Sequence, residues 1–142
     1  MKRASLFLIG LTVVGLVLGG CGQPTVAAPK EDAITIEPQT SGLKELTLSA
    51  RAAERLGVET GVVAASGAAV TIPYAAVIYD AKGATWAYTN TEPLVYLRAA
   101  ITVDEIEGDL AFISAGPVAG TAVVTTGAAE LYGAEIGVGG GH

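Results

Sequence analysis

The chain has 142 residues, with 14 Asp or Glu against 8 Lys or Arg and a net charge of −6, which is the length of one small domain rather than two. That acidic balance, with no basic cluster, excludes an electrostatic surface for nucleic acid or anionic lipid. The single cysteine, Cys21, excludes an intramolecular disulfide and a zinc centre built on thiolates.

The N-terminus reads as a bacterial lipoprotein signal. Met1-Lys2-Arg3 is basic, Leu6 to Leu18 carries no charge, and Leu18-Gly19-Gly20 places small residues before Cys21. Small residues admit a peptidase, and the thiol is the group there that takes a thioether-linked lipid. A membrane-crossing helix needs about 20 apolar residues, and this run is shorter, so an uncleaved anchor or a plain secretory signal is the weaker reading. Residues 1–20 are therefore expected to form a signal helix that is removed. Residues 21–42 become a lipidated flexible tether, and the mature chain is anchored at the extracytoplasmic face. Loss of Lys2 and Arg3 takes the charge from −6 to −8.

Gly22 to Gly42 is rich in Pro, Thr, Ala and acidic residues, with Ile34-Thr35-Ile36 as a short segment able to pair. Leu43 to Leu48 alternates and predicts a strand. Ser49 reads as an N-cap for a two-turn helix over Ala50–Leu56, stopped by Gly57. Val58–Val63 predicts a strand. Ala69–Tyr79 predicts another, interrupted by Pro73, which cannot donate to a ladder. Asp80-Ala81-Lys82-Gly83 is a turn. Thr85–Thr89 is a strand with Trp86 and Tyr88 on one face, and Asn90–Pro93 turns again. Leu94–Val103 is the longest predicted strand. Glu107-Gly108-Asp109 turns into Leu110–Ser114, Ala115–Gly120 is a loop, and Thr121–Thr126 is the last strand. Ala128–Tyr132 closes as a helical turn, and residues 137–142 form a disordered tail. The sum is a mainly β domain over residues 43–136, a small antiparallel β-roll or barrel of six to seven strands with one short early helix.

Few residues carry chemistry. Asp104, Glu105, Glu107 and Asp109 offer oxygens to a hard cation, but without EF-hand spacing they read as a solvated hairpin tip. His142, the only histidine, is one ligand on a glycine tail and makes no metal site. It also leaves no partner for a hydrolase triad, and the glycines lack a phosphate-loop ending. Tyr74, Tyr79, Trp86, Tyr88 and Tyr96 read as core and cross-strand packing before a ligand pocket. The chain is expected not to be an enzyme and to take no cofactor beyond the acyl lipid on Cys21.

Three stretches carry a resemblance. Leu46-Thr47-Leu48-Ser49 leads into Ala53-Glu54-Arg55-Leu56-Gly57-Val58-Glu59-Thr60. Ile72-Pro73-Tyr74-Ala75-Ala76-Val77-Ile78-Tyr79-Asp80 leads into Gly83-Ala84-Thr85-Trp86-Ala87-Tyr88. Val103 through Gly108-Asp109 leads into the run from Ala115 to Ala128. In order and spacing they resemble the membrane-proximal part of periplasmic adaptor proteins, the membrane fusion subunits of RND-type and related efflux pumps. The resemblance covers about Leu46 to Glu135. It implies that the two ends of the chain fold together. It departs from the family between Val63 and Val70, where no lipoyl domain or long helical hairpin intervenes, so a conduit-forming role is in doubt.

The expected function is a lipid-anchored binding or adaptor domain that contacts an integral transporter subunit, with a homo-oligomer left open. Candidate contact residues are the hairpins at Lys82-Gly83 and Glu107-Gly108, and Trp86 if it is exposed. The alternatives are a surface lipoprotein that binds a small molecule or metal without a transporter, and a degenerate adaptor remnant.

Overall fold

The computed structural model describes residues 33–137. The signal, Cys21, the first part of the expected tether and the tail ending in His142 lie outside the described residues. The fold is mainly β with a short early helix, as expected, and its strands fall into two antiparallel sheets.

The elements in chain order are β1 (Ile34–Pro38), β2 (Lys44–Leu48), α1 (Ala50–Leu56), β3 (Glu59–Val62), β4 (Ala64–Ser66) and β5 (Ala69–Pro73). A turn of 3-10 helix at Tyr74–Ala76 follows, then β6 (Ile78–Tyr79), β7 (Thr85–Glu92), β8 (Val95–Ala100), β9 (Thr102–Glu107), β10 (Leu110–Ala115), β11 (Ala122–Thr126) and α2 (Ala128–Ile136). The larger sheet runs β1-β2-β8-β7-β11-β3, with β6 also on β7. The smaller runs β4-β5-β10-β9.

Three expectations are corrected. Residues 34–38, placed in the tether, are a strand in five-residue register with β2 (Ile34 opposite Leu48, Pro38 opposite Lys44). Ile34 also packs against the core, so this short segment gains more from pairing than from hydration. The predicted long strand Leu94–Val103 is two strands in different sheets, and the chain changes sheet at Ile101. The closing turn at Ala128–Tyr132 is a second helix that continues to Ile136.

Three of the four sheet changes have one physical cause, and the fourth, from β10 to β11, runs through the loop at residues 116–121. Between β3 and β4 the chain passes through Val63, between β5 and β6 through Ala76, and between β8 and β9 through Ile101. All three are buried in one cluster with Ile72, Ala87, Ala111, Ile113 and Val123. Each corner residue sends its side chain into the space between the sheets while its backbone leaves one ladder for the other. Ile101 keeps its N–H satisfied on the Thr85 carbonyl at 3.0 Å. Pro73, without an N–H, ends β5.

A second cluster lies on the other face of the larger sheet. Leu46, Leu48, Tyr88, Tyr96 and Val124 meet Ala52 of α1 and Ala128 and Leu131 of α2. Alternation along β7 assigns the faces, with Tyr88 in this cluster and Ala87 in the other. α1 is specified locally: Ser49 Oγ accepts from the Ala52 N–H at 3.2 Å, and Gly57 closes the helix at φ +60°.

Register also fixes the two ends of the larger sheet. The Ser49 N–H donates to Ala33 O and the Leu48 N–H to Leu94 O, so the chain enters beside the β7–β8 turn. The β6–β7 hairpin lies at the opposite end of β7, where Tyr79 faces Thr85.

Candidate functional site

That hairpin is built by Asp80. Its Oδ1 accepts from the N–H of Lys82 (2.8 Å) and of Ala84 (2.9 Å), and its Oδ2 accepts from Trp86 Nε1 (3.1 Å). The Gly83 N–H returns to the Asp80 carbonyl at 3.0 Å, with Gly83 at φ +82°, a backbone that favours glycine. The Asp80 carboxyl is held below its ordinary value chiefly by the Trp86 hydrogen bond, then by the two backbone N–H groups and the Arg98 charge, against a desolvation cost. Lys82 and Gly83 are exposed at the tip.

The second candidate hairpin, β9–β10, turns over Gly108-Asp109 and exposes Glu107 and Gly108. The Tyr74 N–H donates to the Asp109 carbonyl at 2.8 Å. Tyr79, the residue before Asp80, has its phenol held above the ordinary value chiefly by side-chain hydrogen bonding with Tyr74. Tyr74 thus borders the β9–β10 turn through its backbone, and its side chain influences Tyr79 at the foot of the other hairpin. Tyr74 is 40% exposed, Tyr79 51% and Leu110 44%. None of the four strands of the smaller sheet carries Lys, Arg or His, so this side presents exposed apolar groups beside Asp104, Glu105, Glu107 and Asp109. Asp104 accepts from Ser114 Oγ at 2.8 Å. Among the described residues no three His, Cys, Asp or Glu side chains converge as a metal site would require.

Trp86 sits elsewhere. It is partly buried against the helix-side core, with the Arg98 guanidinium 4.2 Å from its ring centroid. Arg98 also lies 5.3 Å from the Tyr132 ring and 3.0 Å, through Nη2, from Glu135 Oε1. Glu135 accepts a hydrogen bond from the Tyr88 hydroxyl as well, and Lys44 Nζ donates to the Glu135 carbonyl at 2.6 Å. Burial first, and the Glu135 contact second, push the Tyr88 phenol far above its ordinary value. Sequence reasoning missed this group. A signal existed: Glu135 follows Leu131 by four residues on one helix face, and Arg98 follows Tyr96 by two on one strand face, so both charges fall in phase with buried apolar positions.

A shallow cleft of about 170 Å³ is lined by Val70, Ile113, Ser114, Ala115, Gly116, Pro117 and Val118. It is smaller than the roughly 300 Å³ at which pockets for drug-sized ligands begin. Comparison of the chain with family models, curated proteins and solved structures returns no match.

Proposed function

We propose that this chain is a binding module, not a catalyst, held at the outer face of a membrane by lipid on Cys21. There it contacts the extracytoplasmic part of an integral transporter, as the efflux adaptors that its sequence resembles do. The observation that carries the reading is the exposure of Tyr74, Tyr79 and Leu110 next to the two hairpins, with the Tyr74 N–H bonded to the Asp109 carbonyl of the second one. Tyrosine brings large contact area with a polar tip, a combination suited to protein contacts. The hairpin at Lys82-Gly83 stands at the end of β7 opposite the chain's entry at Ala33. A tether at one end therefore leaves it free for a partner. The pairing of β3 with β11 supports the adaptor likeness, because it closes the early part of the fold on the late part.

A photo-crosslinking amino acid at position 79 tests the reading in intact membranes, with the exposed Glu54 position on α1 as the control. The expected result is a covalent adduct with an integral membrane protein from position 79 and none from position 54. Equal capture from both positions, or none from 79, overturns the contact surface.

A further inference from the structure

The proposed contact surface makes no use of Glu135, the one fully buried charged side chain among the described residues, which is 3% exposed. It belongs to α2, a helix of nine residues, shorter than the ~12–15 at which isolated helices become even marginal. α2 starts on Gly127 with no side-chain cap and holds Gly133 in its interior. Its persistence therefore rests on docking. Leu131 supplies apolar contact, and among the described residues the side-chain hydrogen bonds and the ion pair that tie the helix to the sheet meet at Glu135.

We propose that α2 is a strap that opens in acid, with the Glu135 carboxylate as its fastener. The groups facing Glu135 are Arg98 from β8, Tyr88 from β7 and, on its carbonyl, Lys44 from β2, with Tyr132 on the helix itself stacked on the same guanidinium. Arginine stays charged throughout the accessible range, and the raised Tyr88 phenol stays a donor. Protonation therefore changes one member only. It discharges Glu135 and takes from the nearly buried Arg98 guanidinium the one carboxylate in direct contact with it, leaving only the more distant Asp80, although its Nε already has no partner. A buried charge that loses its partner is strongly destabilising. The strain falls on α2, because Arg98 remains fixed by its strand and by Trp86. Opening would uncover Leu46, Leu48, Tyr88 and Val124.

Amide hydrogen exchange of the full chain tests this. Protection of the Leu131, Tyr132 and Glu135 amides is expected to fall about tenfold or more, relative to that of Tyr88 and Tyr96, between neutral pH and about pH 3. Asp80 titrates on the far side of Trp86, so the measurement is repeated in Asp80→Asn, where the same fall is expected. Glu135→Gln should show the low α2 protection already at neutral pH and no further fall in acid. If that variant leaves β7 and β8 unprotected, Tyr88→Phe is used, which removes one hydrogen bond and should loosen α2 alone. Exchange of α2 in step with β7 and β8 at every pH, or a Glu135→Gln variant indistinguishable from the parent chain, overturns the proposal.

Discussion

Arg98 must be charged, nearly buried and stacked at the same time, and its neighbours are arranged accordingly. Trp86 and Tyr132 present ring faces to the guanidinium, Glu135 supplies the counter-charge, and Asp80 adds a second carboxylate through its bond to Trp86. Trp86 is therefore not the free aromatic that its place in an alternating strand allowed; its N–H and its ring face are both taken. Asp80 gives a prediction with a defined sign. Its native carboxyl is depressed, so its contribution to stability is present above the ordinary value of 3.8 and is lost as pH falls from there through the lower native value. Asp80→Asn should be less stable than the parent chain near neutral pH, and the gap should close in acid. Urea midpoints measured across that range check this, and a gap of constant size would show that the charge contributes nothing.

At the scale of elements, what could be read from the sequence was what short-range chemistry dictates. α1 was legible because Ser49 and Gly57 mark its ends, and the two hairpin tips were legible because Lys82-Gly83 and Gly108-Asp109 can do little but turn. The corners at Val63 and Ile101 were not, because no Pro or Gly marks them. A β-branched residue in a strand and one at a corner look alike until the opposite sheet is in place. The polar cluster was hidden for a related reason: Tyr88 and Glu135 are 47 residues apart, and only the docking of α2 across β7 and β8 brings them together. At Gly61 β3 of the larger sheet lies close against Pro73 at the end of β5. A Cβ there would lie 2.8 Å from Pro73 Cγ and 3.1 Å from Thr125 Cγ2, and a proline ring cannot swing aside. Gly61→Ala should cost about 1–3 kcal/mol by forcing β3 and β5 apart, measured by chemical denaturation. A neutral result would mean that the sheets separate there without loss.

For the molecule as a whole, the proposed anchor at Cys21 and the folded domain at Ala33 are separated by the eleven residues 22–32, at most about 40 Å of chain. Cys21→Ala is expected to move the protein from the membrane fraction to the soluble fraction on cell fractionation. Retention in the membrane would remove the lipid from the account. The run of β7, about 26 Å at 3.3 Å per residue, then sets the distance between the chain's entry and the Tyr79 hairpin. Entry at Ala33 has a mechanical consequence. A module fastened to a bilayer through β1 and gripped by a partner at Tyr79 is stretched along its strands. Force then shears the five β1–β2 pairs together instead of unzipping them one by one, which is the direction in which a sheet resists rupture best.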